Sequence, residues 1–510
     1  MPLFSMGGDG MWIDNLIGFF NPKAAYEREV WRQQLDTVKN YDAANNGRLN
    51  SHWRVANESG EMTDRASRDM VRARARDLER NSDILNSVIM SFKRNVVGMG
   101  FTLQAKTDSE RVNSAIEELW REWCKKENCD VTGMQSFNQI IRMLVERKKV
   151  DGGILIHKCY TEQGILPFQL QILEVDELCS YWQTPHESGN KVVGGIEYNR
   201  YNKPVGYWIT KYSIDGMEIP AAEYYSADEM IFYFSKRRPS QVREMSDLTP
   251  TLTRVRDTNE FMTAVSVKER IAACLAVFIK KVMPTGGLGR NAQTVDNHSY
   301  SGKMLTPGLI SELNAGDEIQ VVEPKSNGSD ATAFLKLQQR LIGAGQGLSY
   351  EATSRDMSQT NYSSARQGAI EDELTYAEEK ELLKDIMSDI YAEFFRSAVL
   401  SGAIKATGFF ENATKRRKFL AHEWVESPKR WIDPQKEANA NKIALQSGIK
   451  TFKQICAEQG VDWRDQINDI AEVNEYAADK NIDLSAIVFG MDIDSEPEIV
   501  DEPDEEGQDE

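Results

Sequence analysis

The run Gly343–Arg366, GAGQGLSYEATSRDMSQTNYSSAR, carries Ser, Thr, Gln, Asn, Arg, Asp and Glu side chains far more often than apolar ones. Hydroxyls, amides and guanidinium groups at that density donate and accept hydrogen bonds reversibly. Such a stretch suits contact with a long polar partner and suits a hydrophobic core poorly. Contact rather than catalysis is what these residue types offer.

Helical patterns hold the run at both ends. From Ala369 to Leu400 there is no Gly or Pro, and Ile370, Leu374, Ala377, Leu383, Ile386, Ile390 and Phe394 fall on one side at helical spacing. One amphipathic helix of about 48 Å is expected. Upstream, Ser329 or Asp330 can cap a helix carrying Phe334, Leu337 and Leu341, which Gly343, Gly345 and Gly347 then stop. A further long helix is expected from Pro250, with Thr249 as N-cap and no Pro or Gly before Pro284. Leu252, Val255, Met262, Val265, Ala272, Leu275 and Phe278 mark its apolar side. The stretch 284–328 is rich in Gly, Asn, Ser and Thr, with extended runs at Lys303–Thr306 and Glu318–Val322, and suits a small inserted module.

Nearer the start, Asp64–Val97 is helical in pattern and rich in Arg. Helices around Glu110–Lys126 and Ser136–Lys149 then give way to strand-like runs at Ile154–Tyr160, Pro167–Val175, Val192–Tyr198, Val205–Tyr212 and Met230–Phe234. That is an α+β domain. After Leu400, Asp433-Pro434 starts a helix, Gly448 stops it, Thr451–Gln454 has capping-box spacing and Asp462 starts another. Consecutive short helices would form a third, all-helical domain, and the whole reads as helix-rich α+β.

With 510 residues and 41% hydrophobic content, the chain can bury more than one sizeable core. The longest apolar run, Ile271–Ile279, is too short to span a bilayer, and Met1–Phe20 lacks the basic start of a signal peptide, so a cytoplasmic protein with no membrane partner is expected. The formal charge of −18 includes 11 acids in Met491–Glu510 with no base among them; without those 11 it becomes −7. That tail has the composition of a solvated, disordered segment. The remainder argues against tight phosphate binding over the whole surface, and leaves room for a surface along which DNA slides.

Catalytic and ligand-binding signatures are missing. Gly302-Lys303 resembles the end of a phosphate loop, but Met304 replaces the Ser or Thr that would hold magnesium, and Asn297 stands where the first Gly is needed. Gly286-Gly287-Leu288-Gly289 reads as a flexible loop. Cys124, Cys129, Cys159, Cys179, Cys274 and Cys456 form no CxxC pair and the histidines are scattered, so no metal site, cofactor site or disulfide framework is indicated and reduced thiols are expected. His157 reads as a satisfied strand residue. Arg65, Arg68, Arg72, Arg74, Arg76 and Arg80 could clamp phosphates, but Asp64, Asp69, Asp77 and Glu79 interleave with them, and ion pairs within the helix or between subunits account for the pattern better. A solvated face is the default for Lys236-Arg237-Arg238 and Lys415-Arg416-Arg417-Lys418.

The sequence Asn361-Tyr-Ser-Ser-Ala-Arg366 closely resembles the NYSSAR signature of the lambda-like portal proteins of tailed phages. Arg74-Ala-Arg-Asp-Leu-Glu-Arg-Asn81, Asn95-Val-Val-Gly-Met-Gly100, Leu170-Gln-Ile-Leu-Glu-Val-Asp176, Arg238-Pro-Ser-Gln-Val-Arg243 and Trp431-Ile-Asp-Pro434 extend the match in the family's order, over roughly Arg65–Gly460. The chain departs from the family at Tyr233, where a His is usual, and at Glu244, where a Gly is usual.

The resemblance implies a ring, usually a dodecamer, at one capsid vertex of the virion, assembled in the host cytoplasm. It implies a channel for duplex DNA during packaging and ejection, with the large terminase subunit, major capsid and scaffold proteins, and head-completion or tail-connector proteins as partners. It further implies a portal fold: an N-terminal segment at 1–63, a wing at 64–249, stem helices at 250–283 and 329–349 around a clip at 284–328, a tunnel loop at 350–362, a long kinked wing helix at 363–400, a helical crown at 401–490 and the acidic tail at 491–510. Ser354, Arg355, Asp356, Met357, Ser358, Gln359 and Asn361 are then the expected DNA-contacting residues of a loop made mobile by its flanking glycines. No catalytic residue, cofactor or metal is implied. Two rival readings stay open at this point: a metal-dependent nuclease or recombinase, and another head-completion or scaffold protein.

Overall fold

The computed structural model describes residues 55–213, 215–216, 218–273, 277–281, 317–321, 328–358, 360–427, 434–480 and 482, with 22–23, 26–28 and 30–31. The chain divides into units 1–63 and 64–510, and the elements that position the site lie in the second.

Helix α1 (Arg68–Asn81) buries Arg68, Arg72, Ala75 and Leu78 on one face, so half of its inner stripe is guanidinium. Helix α2 (Asp83–Phe92) is capped by Ser82, whose hydroxyl accepts from the Leu85 amide at 3.3 Å, and turns Ile84, Leu85, Val88, Ile89 and Phe92 inward. It runs into a π-helical turn, Lys93–Val97, which Gly98 closes at φ 57°. Strand β1 (Thr102–Ala105), helix α3 (Glu110–Trp123) and helix α4 (Phe137–Asp151) follow. A capping box between Ser136 and Gln139 opens α4, and Gly152 at φ 91° ends it. A Cβ on Gly152 would stand 2.4 Å from the Met245 carbonyl carbon, so only glycine permits this approach.

Strands β2 (Gly153–Cys159), β3 (Gln169–Leu173), β4 (Lys191–Val193), β5 (Ile196–Tyr198), β6 (Pro204–Tyr212), β7 (Glu218–Ser226) and β8 (Met230–Phe234) form a three-stranded sheet in the order β3-β2-β8 and a four-stranded meander β4-β5-β6-β7. The run Val192–Tyr198 is a hairpin rather than one strand, because Gly194 and Gly195 turn at φ 59° and 83°. β7 has no counterpart in the sequence reading. Its Pro220 argues against a strand interior, and it is tolerated because β7 forms the edge of the meander.

Helix α5 (Leu252–Ala273) opens at Leu252, after a turn in which the Thr251 hydroxyl donates to the Leu248 carbonyl at 2.9 Å, instead of at Pro250. It also stops short of the helix expected to reach Met283. Residues Val277–Lys281 form strand β9, antiparallel to β10 (Asp317–Val321). Val277, Phe278 and Ile279 are β-branched or aromatic, and that local preference wins over the absence of a helix breaker. The other residues of 284–327, including the expected extended run Lys303–Thr306, lie outside the described residues.

Helix α6 (Gly328–Gly345), short helix α7 (Tyr350–Ser354) and the 39-residue helix α8 (Tyr362–Leu400) come next. α5 and α6 meet through Phe261 and Phe334, with ring centroids 4.6 Å apart, and through Arg254 Nη1 donating to Gln338 Oε1 at 2.9 Å. Beyond helix α9 (Ala413–Phe419), strand β11 (His422–Val425) pairs antiparallel with β1 from Thr102↔Val425 to Ala105↔His422. The segment after Leu400 is therefore not all helical. Four residues whose partner lies far upstream leave no local signal of a strand. Helices α10 (Pro434–Gln446), α11 (Phe452–Glu458) and α12 (Trp463–Asp479) start where expected, with the Thr451–Gln454 capping box and the Asp462 N-cap formed.

The main core is aromatic. Trp120 touches Trp123, Phe137, Phe394 and Trp424 at centroid distances of 5.0, 5.2, 5.0 and 5.5 Å, and the Trp123 indole donates to the Phe168 carbonyl at 2.8 Å. The second half of α8 closes this core with Leu383, Met387, Ile390, Tyr391, Phe394 and Phe395. Burying each such side chain is worth roughly 1.5–3 kcal/mol. Its first half instead leaves Ile370 and Leu374 exposed.

Candidate functional site

The polar run is more ordered than its composition suggests. α6 ends at Gly345, and the turn after it is closed by the Leu348 amide donating to the Gly343 carbonyl at 2.9 Å. Gly347 has φ 69°, and a Cβ there would stand 2.8 Å from Thr375 Oγ1. Close approach requires glycine here, and Gly347 also supplies a left-handed turn. Ser349 anchors the next element: its amide and hydroxyl donate to the two oxygens of buried Asp372 at 2.6 and 2.7 Å, and its hydroxyl accepts from the Ala352 amide at 3.2 Å. Residues 350–354 are thus helical rather than loop. The Ser87 hydroxyl holds the buried Thr353 at its carbonyl, at 2.6 Å.

The irregular stretch that remains is 355–361. Ser354 closes α7, and its hydroxyl accepts from the Asp356 amide at 3.1 Å. Arg355 sits at φ 58°, ψ 18°, exposed, with no carboxylate among the described residues paired to it. A left-handed non-glycine residue costs roughly 1–2 kcal/mol. Asp356 accepts from the Ser358 amide at 3.0 Å and the Tyr350 hydroxyl at 3.2 Å, with Lys336 Nζ at 3.7 Å. The Ser358 hydrogen bonds, then Tyr350 and Lys336, hold its carboxyl below the ordinary range. Met357 and Ser358 are exposed. Gln359 lies outside the described residues. Asn361 is an N-cap, its side-chain oxygen accepting from the Ser364 amide at 2.8 Å, so the first residue of the NYSSAR signature starts α8.

The structure therefore brings Ser354, Arg355, Asp356, Met357, Ser358 and Asn361 into one short bend, but commits Asp356 and the oxygen of Asn361 internally. Arg355, Met357 and Ser358 present the exposed face. The sequence reading missed the anchors Ser349 and Asp372, although Ser349 three residues ahead of Ala352 has the spacing of an N-cap. It missed Asp372 because nothing local marks a carboxylate that bonds a residue one loop earlier.

A second constellation lies behind the loop. Buried Arg243 donates to Glu244 from Nε at 2.7 Å and Nη2 at 3.0 Å, to Ser180 Oγ at 2.9 Å, and to the carbonyls of Gly194 and Val175 at 2.8 and 3.0 Å. Glu244 also accepts from Arg72 at 2.9 Å, and Arg72 and Arg76 both reach Asp176, at 3.2 and 2.6 Å. Arg76 also meets Asp151 at 2.6 Å. Three of the quoted motifs, carrying Arg76, Asp176 and Arg243, thus converge. Among the described residues, the carboxylates that Arg72 and Arg76 meet lie mostly on other elements, with Asp69 on the same helix. Glu244, one of the two departures from the family pattern, supplies the carboxylate shared by Arg243 and Arg72. Tyr233, the other, is fully buried, its ring 6.0 Å from Lys148 Nζ.

Next to it, fully buried Lys148 donates to Asp247 at 3.0 Å and to both oxygens of Glu379 at 2.8 and 2.7 Å, while Lys149 meets Glu379 at 2.7 Å and Arg237 meets Asp247 at 2.8 Å. α4, α8 and the turn before α5 are fastened at this point. Burial alone would raise the Asp247 carboxyl, but attraction by Lys148 and Lys149, the Lys148 hydrogen bond and Arg237 leave it below its ordinary value.

One cysteine and one histidine come together on β2. Cys159 Sγ lies 3.2 Å from His157 Nδ1, yet burial pushes the thiol up to about 11, so it stays protonated. Gln171 Oε1 also meets His157 Nδ1, at 3.2 Å. Among the described residues, Cys124, Cys129, Cys159, Cys179 and Cys456 are free thiols, no group of three or more His, Cys, Asp and Glu is placed to hold a metal, and no helix is long and apolar enough to cross a membrane.

Comparison with known proteins sets these features in context. The chain is 25% identical over 465 residues to the "Probable portal protein" of Halomonas phage phiHAP-1, covering 86% of this chain and 87% of that one. It is 20% identical to the portal protein of Escherichia phage N15, covering 81% of this chain and 85% of the other, and 21% identical to portal protein B of Escherichia phage lambda, covering 77% and 81%. Among solved structures, a chain in the neck of an empty gene transfer agent particle, computed with C6 symmetry, aligns at TM-score 0.42 and 13% identity, covering 76% of this chain and 93% of that one. A chain in the native particle's neck, computed with C12 symmetry, aligns at 0.39 and 14%, covering 76% and 93%. A sequence model described as "Phage portal protein, lambda family" matches residues 46–380, well over half of the chain, and on that match the chain belongs to the lambda family of phage portal proteins.

Proposed function

We propose that this chain forms a ring at a capsid vertex, through which duplex DNA enters during packaging and leaves at ejection, and to which head-completion or tail-connector proteins attach. The large terminase subunit docks on the ring during packaging, and capsid or scaffold proteins surround it in the virion. In this reading 64–249 is the wing, α5 and α6 are the stem around a clip within 284–328, 355–361 is the tunnel loop, α8 is the wing helix, and 401–490 is the crown. The role is conduit and joint, not catalysis.

Family membership carries the general reading, and one observation supports the DNA contact: Arg355 holds a strained left-handed conformation that leaves its guanidinium exposed and, among the described residues, without a carboxylate, on a bend pinned by Ser349–Asp372 and by the Asn361 cap. Strain retained at an exposed cation is a reason to look for function there. A guanidinium and a few hydroxyls touch phosphates, while the net acidity of the chain discourages a tight grip.

Arg355→Gly separates backbone from charge. Glycine adopts the same φ without strain, so stability should hold or rise by up to about 1 kcal/mol. Particles assembled with the variant should package or retain less DNA, and Arg355→Lys should recover part of the loss. Normal packaging and retention with Arg355→Gly would remove the contact from the proposal. Rings with a central hole in micrographs of the purified protein test the assembly itself.

A further inference from the structure

The cations of α9 stand apart from the rest of the molecule. Lys415, Arg416, Arg417 and Lys418 are all exposed, and only Lys418 meets a carboxylate among the described residues, Asp108 at 2.9 Å. Arg416 spends its guanidinium on the Phe409 and Phe410 carbonyls, at 3.3 and 3.1 Å. Beside them opens a cavity of about 530 Å³ lined by Ala413, Arg416, Arg417, Leu420, Ala421 and His422. Across the β1–β11 pair lies more positive charge: Lys106 feels both Lys453 and Arg464. Lys106 and Lys453 share Glu423, and Arg464 has Glu110, so among the described residues the cations left without a partner beside the open cavity are Lys415 and Arg417, in a chain of net charge −18.

We infer that the acidic segment Met491–Glu510 of the same chain docks on the α9 face, its carboxylates meeting Lys415 and Arg417 at the mouth of that cavity. Charge complementarity is the first argument: 11 acids and no base in twenty residues, against the cations named above. Reach is the second. α12 begins beside β1, where Gln104 Nε2 donates to Asp462 Oδ2 at 2.7 Å and Arg464 meets Glu110 at 3.0 Å. The Lys106 amide in turn donates to the carbonyl of Ala421, a cavity residue, at 2.8 Å. The helix carries the chain about 25 Å away, and residues 481–490 can return up to about 33 Å. Tethering also raises the local concentration of the segment to the millimolar range, ahead of any free polyanion. The docked segment screens α9 from nucleic acid.

Carbodiimide coupling of the full-length protein tests this, because the reagent joins a carboxylate to an amine already in contact with it. At roughly 0.1 M salt, where charges act over about 10 Å, carboxylates of 491–510 should couple to Lys415 and Lys418 at least ten times more than to the exposed Lys203 and Lys236. At roughly 1 M salt, where that reach falls to about 3 Å, the excess should disappear. Arg417→Glu should reduce it several-fold; the substitution is on a fully exposed helix face, so circular dichroism should be unchanged. Equal coupling to all exposed lysines, or an excess indifferent to salt and to Arg417→Glu, overturns the inference. So does the finding that duplex DNA binds full-length protein through Lys415 and Arg417 with the same affinity whether or not 491–510 is present, since the cations would then serve DNA.

Discussion

Arg72 and Arg76 of α1 face Asp69, Asp151, Glu174, Asp176 and Glu244, whereas Lys415, Arg416 and Arg417 of α9 face no carboxylate among the described residues. Both stretches are dense in cations. The difference follows from where each helix lies. α1 packs its guanidinium stripe against the Asp176 and Arg243 region, where an uncompensated charge is costly; Arg72 and Arg76 have found anions there, and Arg68 donates to the Glu244 carbonyl at 3.0 Å. α9 lies on the surface, where water replaces the missing partner. A cation run is therefore structural cement in one place and spare charge in the other, and only the tertiary fold decides which.

The largest expected effect comes from breaking the cemented side. Glu244→Ala leaves buried Arg243 with hydroxyl and carbonyl partners only and takes one of three carboxylates from Arg72, and removing one partner of a buried pair costs about 3–5 kcal/mol. Chemical denaturation should show that loss; a change under about 1 kcal/mol would mean that Asp176 and the carbonyls around Arg243 suffice. Glu244→Gln, which keeps the shape and two hydrogen-bonding atoms, should cost less than Ala but more than any substitution on α9.

Acid titration gives the next effect in size. Asp247 has a folded-state pKa below its unfolded value, held there against burial by Lys148, Lys149 and Arg237. The stability it contributes is present above the unfolded pKa, near 4, and is lost as pH falls through the folded value. Stability should therefore decline below about pH 4, and Asp247→Asn should flatten that part of the curve. If the acid limb is unaltered in Asp247→Asn, other carboxylates govern it; Glu426, also lowered against burial by Lys384 and Lys380, is next in line.

What could be read from the sequence divides along the same line of local against distant causes. Thr451–Gln454, Asp462 and Pro434 announce helix starts locally, and each helix begins there, whereas α8 starts at Tyr362 behind the Asn361 cap, seven residues before the Ala369 expected from its apolar spacing. β11 and β7 were not legible, because a four-residue strand paired to β1 and an edge strand containing Pro220 owe their form to partners far away in sequence. The polar run showed its lack of core residues in its composition. Its short helix α7 and the internal commitment of Asp356 depend on Ser87, Lys336 and Asp372, which no spacing rule connects to it. The α1 ion pairs were expected in kind but not in address: the sequence points to neighbours such as Asp77 and Glu79, and the fold supplies Glu244, Asp176 and Asp151 instead.

The smallest expected effect sharpens the other side of the comparison. Replacing Lys415 and Arg417 by Ala removes charges that hold no ion pair among the described residues, so the unfolding free energy should shift by no more than about 0.5 kcal/mol. Added salt makes the result diagnostic. With the acidic segment docked, screening weakens its attraction to Lys415 and Arg417, so raised salt should cost the protein slightly more than it costs the double variant. A loss of several kcal/mol in the double variant would show that α9 is cemented after all, by anions outside the described residues. The contrast with α1 would then be one of partner identity and no longer one of presence against absence.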